Sequence, residues 1–171
     1  MKKFKTLSKN RVFKNDIIEV YEEKLHLPND NTVTWTFTSK RDAVAIVSMI
    51  DNSVIFVKQY RPAIEKEILE IPAGIVEKGE GIREAALREF EEETGYKANK
   101  IEKIFTYYGS PGLNSSQFHI FYATELTKTK QHLDENEFLE IVKIPINEID
   151  ITSFEDAKTI IGINYIKNLK S

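Results

Sequence analysis

The sequence predicts a mixed α/β domain preceded by a small N-terminal β region. Three observations support this. β-favouring segments lie on both sides of a Glu- and Ala-rich helical stretch at 81–94, a second helical pattern falls near the C-terminus, and residues 1–40 show only short strands around a turn cluster. The expected division is residues 1–40 as the β region and 41–171 as the main domain. A length of 171 residues suits one domain with its own core, and 41% hydrophobic with 30% charged residues is ordinary for a soluble globular protein.

The elements follow in order. Ile17, Ile18, Val20 and Tyr21 favour strand, Pro28-Asn29-Asp30-Asn31 is a turn cluster, and Thr32 to Thr38 alternates around Val33, Trp35 and Phe37. A hairpin of this kind rarely stands alone, so it must pack on the main domain or on a second subunit. Ala43 to Ile50 and Val54 to Val57 are nearly continuous apolar runs flanking Asp51-Asn52-Ser53, as in a buried hairpin. Ile68 to Ile71 is a short strand closed by Pro72, and Gly81 to Thr94 a helix stopped by Gly95. Further strands are expected at Ile101 to Tyr108, Gln117 to Tyr122 and Phe138 to Ile144. A last helix is expected from near Ser153, with Ala157, Ile160 and Ile161 inward.

Charge and composition narrow the function. A net charge of −3 provides no general basic field for nucleic acid or an anionic membrane, so phosphate binding must be local. The absence of cysteine removes disulfides, thiolate nucleophiles and Cys-type zinc sites, and fits a reducing compartment. The basic stretch Met1 to Lys9 is not followed by an apolar segment of signal-peptide length, and no run of about eighteen apolar residues occurs. These features predict a soluble cytoplasmic protein with a small-molecule partner and no membrane association.

The informative segment is Gly74 to Tyr96, GIVEKGEGIREAALREFEEETGY. At about 100° per residue, Glu89, Glu92 and Glu93 share one arc with Ile82, Ala85 and Ala86, while Glu84 and Glu91 point the opposite way. An ordinary charged surface helix is the plain alternative. Two features oppose it. Like charges three and four residues apart cost about 0.2–0.5 kcal/mol per pair, with no Lys among Glu89 to Glu93 to offset them. Carboxylates beside small apolar residues would also be partly buried, where unpaired charge is costly. A hard divalent cation removes both problems, and oxygen donors favour Mg²⁺ or Mn²⁺ over zinc.

The segment resembles the Nudix box: Gly74, Glu80, Arg88, Glu89, Phe90, Glu92, Glu93, Gly95 and Tyr96 all stand in register. The resemblance implies a Nudix-type α/β/α sandwich with a mixed sheet. It also implies Mg²⁺-dependent hydrolysis of a pyrophosphate, with Mn²⁺ as a substitute. Glu89 and Glu93 would be the principal metal ligands, Glu92 would share or bridge ions, and the carbonyl of Ala73 would be a further ligand. Glu80 and Arg88 would hold the loop and helix together, with Gly74 giving a close turn and Gly95 ending the helix.

Within the family, Tyr108-Gly109-Ser110-Pro111-Gly112 resembles the downstream proline motif of ADP-ribose pyrophosphatases, as do Gln59-Tyr60-Arg61-Pro62 and Glu70-Ile71-Pro72-Ala73-Gly74. That similarity implies a nucleotide-sugar substrate, ADP-ribose first, contacted at Pro111 and Gly112. Arg61 would fork onto a phosphate or the terminal ribose. Glu70 would either accept from ribose or adenine or pair with Arg61. The catalytic base would be Glu135 or Glu137, in the acidic loop before the strand at Phe138. Trp35 would be core, or would stack on adenine if the N-terminal strands swap across a homodimer. The competing readings are a Nudix hydrolase of another nucleotide sugar or dinucleotide, and a non-catalytic nucleotide-sensing module.

Overall fold

The computed structural model describes residues 3–169, so the outermost positions of both predicted regions, including the start of the basic N-terminal stretch, lie outside the described residues. The chain forms two units, one running through Asp42 and including Tyr107–Gln117, the other comprising Ala43–Thr106 and the chain from Phe118 onward.

In the first unit the expected hairpin has a third strand. β1 (Lys5–Lys14), β2 (Ile18–His26) and β3 (Thr32–Lys40) form an antiparallel sheet in that order. The β2–β3 register runs unbroken from Ile18↔Lys40 to His26↔Thr32, and the turn is closed by Leu27 N–H donating to Asn31 O at 2.8 Å. β1 is exposed along its whole length. Its sequence, KTLSKNRVFK, lacks the alternation that marks a half-buried strand, so pairing with β2 defines it where pattern does not. The 107–117 segment joins this unit through Thr38 N–H donating to Leu113 O at 2.9 Å and Ser116 Oγ donating to Lys40 O at 2.9 Å.

The second unit is built on a mixed seven-stranded sheet. β4 (Ala43–Ile50) and β5 (Ser53–Arg61) meet at a two-residue turn whose Asp51 and Asn52 both have positive φ, 47° and 67°. They pair only at its tip, Met49↔Val54 and Ile50↔Ser53. Beyond it the strands diverge. β4 pairs antiparallel with β7 (Ala73–Ile75) and parallel with β9 (Gln117–Lys128), whereas β5 pairs with β6 (Lys66–Glu70) and β10 (Leu139–Pro145). The sheet path is β10-β5-β4-β9-β8, with β8 at Tyr96–Tyr108. This divergence leaves β4 buried on both faces, matching an apolar run interrupted only by the buried Ser48.

Two helices flank the sheet, as the sequence predicts. Val44 and Ile46 join Ala85, Ala86 and Phe90 of α1 (Ile82–Thr94) in the core. Val47, on the opposite side of the pleat, lies against Gly162 of α2 (Ala157–Leu169). α2 differs from expectation. Short 3-10 turns occupy Ile146–Glu148 and Ile151–Ser153, and the helix begins after Asp156, whose carboxylate accepts from Thr159 N–H at 3.0 Å. Its buried face carries Lys158, Thr159, Gly162, Ile163 and Ile166, while Ala157 is exposed and Ile160 and Ile161 are only half-buried. Polar bonds described below rotate the helix away from the most apolar register. Among the described residues, no helix is long and apolar enough to cross a membrane.

Candidate active site

Ala, Leu, Arg and Glu favour helix in α1, and burial of Ala85, Ala86 and Phe90 fixes which side faces the sheet. The helix ends where Gly95 takes a left-handed φ of 66° and its N–H bonds to Glu91 O at 2.9 Å. Arg88 ties the preceding loop to the helix. It donates to both Glu80 oxygens at 2.8 and 3.0 Å and to Ile75 O at 3.2 Å, and pairs with Glu89 at 2.8 Å and Glu92 at 3.0 Å. The Glu80–Arg88 hydrogen bonds hold the Glu80 carboxyl below its ordinary range.

The acidic side chains of α1 occupy different settings. Glu93 is 1% exposed, accepts from Ala73 N–H at 2.9 Å and, among the described residues, forms no ion pair. Burial pushes its pKa well above the ordinary value of 4.5, and the charges of Glu137 and Glu89 add to the rise. Burial also raises Glu89 to about 7, despite its contact with Arg88. Glu92 is more open, held by Arg88, with its charge still felt by Glu89. Ala73 meets Glu93 through its amide. At Gly74 a Cβ would stand 1.9 Å from Glu89 Cδ, so a side chain there would displace that carboxylate. The requirement is space for the carboxylate, and Gly74 is not among the residues with positive φ.

The acidic loop separates its two candidates. Glu137 is half-buried, its N–H bonds to Asp134 O at 2.9 Å, and its charge acts on both Glu89 and Glu93. Glu135 is exposed and is not among the charges acting on either.

A second charged cluster lies at the end of β5. Arg61 Nε and Nη2 donate to the two Glu70 oxygens at 2.6 and 2.8 Å, and Lys158 of α2 also reaches Glu70. Lys158 pairs with Asp156 at 3.0 Å, and Thr159 Oγ1 accepts from Ile71 N–H at 2.9 Å. Glu70 is 1% exposed with both oxygens engaged, so the geometry favours its pairing role over acceptance from a ribose or base. Burial favours its protonated form, but hydrogen bonds from Arg61 and the charge of Lys158 outweigh it and hold the carboxyl below its ordinary value. Arg61 keeps a partly exposed side chain whose field reaches Glu93. The sequence reading missed Lys158 and Asp156. Neither belongs to a spaced motif, and only the tertiary pairing identifies them.

Trp35, Pro111 and Gly112 belong to the first unit. Trp35 is 43% exposed and packs edge-on against Phe4 and Phe37, at ring-centre distances of 5.7 and 6.3 Å, so it is not a core residue. Pro111 lines a cavity of about 510 Å³ with Tyr21, Phe37, Thr38, Tyr108 and Asn114. Gly112 is exposed, with nothing within 4 Å of where its Cβ would stand.

Among the described residues, no three His, Asp or Glu side chains close on one point as an assembled metal site would. The residues present nevertheless fit a hard divalent cation. Glu93 is a carboxylate removed from water, Glu89 is half-buried, Glu137 adds a third negative field, and among the described residues Glu93 forms no ion pair.

Comparison with known proteins relates the chain to a family. The model for the NUDIX domain matches residues 39–161. The chain is 39% identical to ADP-ribose pyrophosphatase of Bacillus subtilis and 34% identical to methanol dehydrogenase activator of Bacillus methanolicus, in each case over 95% of this chain and 92% of the relative. A crystal structure of an ADP compounds hydrolase superposes with a TM-score of 0.88, covering 99% of this chain and 95% of that one at 24% identity, a likeness of fold.

Proposed function

The chain belongs to the Nudix hydrolases, and from that premise we propose that it uses Mg²⁺ to hydrolyse the pyrophosphate bond of ADP-ribose, giving AMP and ribose 5-phosphate. The observation that carries this reading is the buried Glu93 carboxylate of the Nudix-box helix, held by the Ala73 amide at 2.9 Å with the half-buried Glu89 one turn before it. The identity to an ADP-ribose pyrophosphatase over nearly the whole chain supports the choice of substrate.

Glu89 and Glu93 would hold Mg²⁺, with Glu92 and the Ala73 carbonyl as further donors. When bound there, the ion would supply positive charge to the pyrophosphate oxygens and would lower the pKa of the attacking water. Glu137 takes the proton from that water as its oxygen attacks phosphorus, and the bridging P–O bond breaks to release two phosphate monoesters. Arg61, oriented by Glu70, binds a phosphate with its remaining donors. Arg88 and Glu80 keep the loop at 75–80 fixed to α1. Within the first unit, Trp35 offers an exposed ring suited to stacking on a base, and Pro111 lines a cavity there; that unit would also bring two copies together as a homodimer.

Incubation with ADP-ribose and Mg²⁺ should release AMP and ribose 5-phosphate in equal amounts. A far higher kcat/KM for GDP-mannose, a dinucleotide or a nucleoside triphosphate would reassign the substrate. Tight ADP-ribose binding without turnover under any divalent metal would make the protein a sensing module.

A further inference from the structure

The last four carbonyls of a helix lack intrahelical partners. α1 has no basic residue in its last turn to meet them. The segment that follows β9 meets two of them, those of Glu92 and Glu93, and the Gly95 carbonyl just past the helix. Thr129 N–H donates to Gly95 O at 2.8 Å, His132 N–H to Glu92 O at 2.9 Å, and the Gln131 side-chain amide to Glu93 O at 2.8 Å. The segment runs so close that a Cβ on Gly95 would stand 2.9 Å from Gln131 N and 3.2 Å from Lys130 C. Gly95 is therefore needed twice, for its left-handed φ and for this approach.

Glu93 thus carries its buried carboxylate at one end and the carbonyl that holds Gln131 at the other. The acidic loop begins immediately after the strap and makes a turn, Glu137 N–H to Asp134 O at 2.9 Å, and the charge of Glu137 is felt at Glu93. Glu137 lies five residues after His132, so the strap anchors the loop on its N-terminal side as the pairing of Leu139 with Gln59 anchors it on the other. Gln is also a neutral donor. It satisfies the carbonyl without adding a cation beside carboxylates that must hold one.

We propose that the strap Thr129–His132, through Gln131, is the positioning element for the catalytic base, locking the root of the Glu137 loop to the helix turn that carries Glu92 and Glu93. The inference rests on the assignment of Glu137 as base. Gln131 is exposed and its substitution leaves the core intact, so Gln131→Leu is the variant to make. It should lower kcat about tenfold while KM stays within about twofold, because a displaced base impairs chemistry more than binding. In a Glu137→Gln background the same substitution should cost less than about twofold, the non-additivity expected of residues that act as a unit. Independently of turnover and metal, amide exchange at Glu137 should accelerate in Gln131→Leu. An equal loss in both backgrounds, or unchanged exchange at Glu137, would overturn the proposal. If Glu137→Gln alone keeps the full rate, the base lies elsewhere, and the exchange result still decides whether the strap holds the loop.

Discussion

At Glu93 a carboxyl group with 1% exposure relies on a single backbone N–H, while Glu89 and Glu137 repel it. Both Glu93 and Glu89 have folded-state pKa values raised by burial above the ordinary 4.5, Glu89 to about 7. Between those values the folded protein binds more protons than the unfolded chain, so metal-free stability falls as pH rises. The Tm of the metal-free protein should therefore drop from pH 4.5 through pH 7 and beyond, and Mg²⁺ should reverse much of the drop at the upper end. Glu93→Gln keeps the bond from Ala73 and removes the charge. It should raise the metal-free Tm at pH 8 and lower kcat by about a thousandfold or more. A metal-free Tm indifferent to pH, or near-normal turnover in Glu93→Gln, would contradict this account. These residues were legible in the sequence because the box fixes their spacing. The choice of Glu137 over Glu135 was not, because a loop has no periodicity from which to read side-chain direction.

Among the elements, α2 shows where a hydrophobic pattern loses to specific polar bonds. Ala157, Ile160 and Ile161 are the apolar residues a helical reading turns inward, yet Lys158 and Thr159 occupy the buried side. The gain is satisfaction of groups that would otherwise be buried and unpaired: Lys158 meets Glu70 and Thr159 meets the Ile71 amide. Lys158→Met should cost about 3 kcal/mol, as expected when one partner of a buried pair is removed. It should also raise KM, since Glu70 then holds Arg61 less firmly; urea denaturation and steady-state kinetics measure the two effects. α1 and the terminal turn of β4–β5 were readable because caps and turns use local chemistry: Gly95 at the helix stop and Asp51-Asn52 in the hairpin. β1 was not, because an exposed strand without alternation is defined by its partner.

For the whole molecule, the first unit leaves Phe4, Leu7, Val12, Phe13 and Ile17 about half exposed or more on and beside its three-stranded sheet. A second copy of the chain is the proposed cover. Sedimentation should give a dimer, and a Leu7→Glu/Phe13→Glu variant should sediment as a monomer with its second unit still folded. A wild-type monomer at concentrations of about 10 µM would remove the dimer proposal. The mixed sheet between two helices was legible from the order of β-favouring and helical segments. The recruitment of Tyr107–Gln117 to the N-terminal unit was not, because it rests on bonds such as Thr38 to Leu113 between residues far apart in sequence.

Whether the acidic turn of α1 is a cation site is decided by Mn²⁺ binding followed through its electron paramagnetic resonance signal. The wild-type protein should take up Mn²⁺, and Glu89→Gln/Glu93→Gln should weaken uptake by about a hundredfold while leaving the fold intact. Equal affinity in the two proteins would place the metal elsewhere.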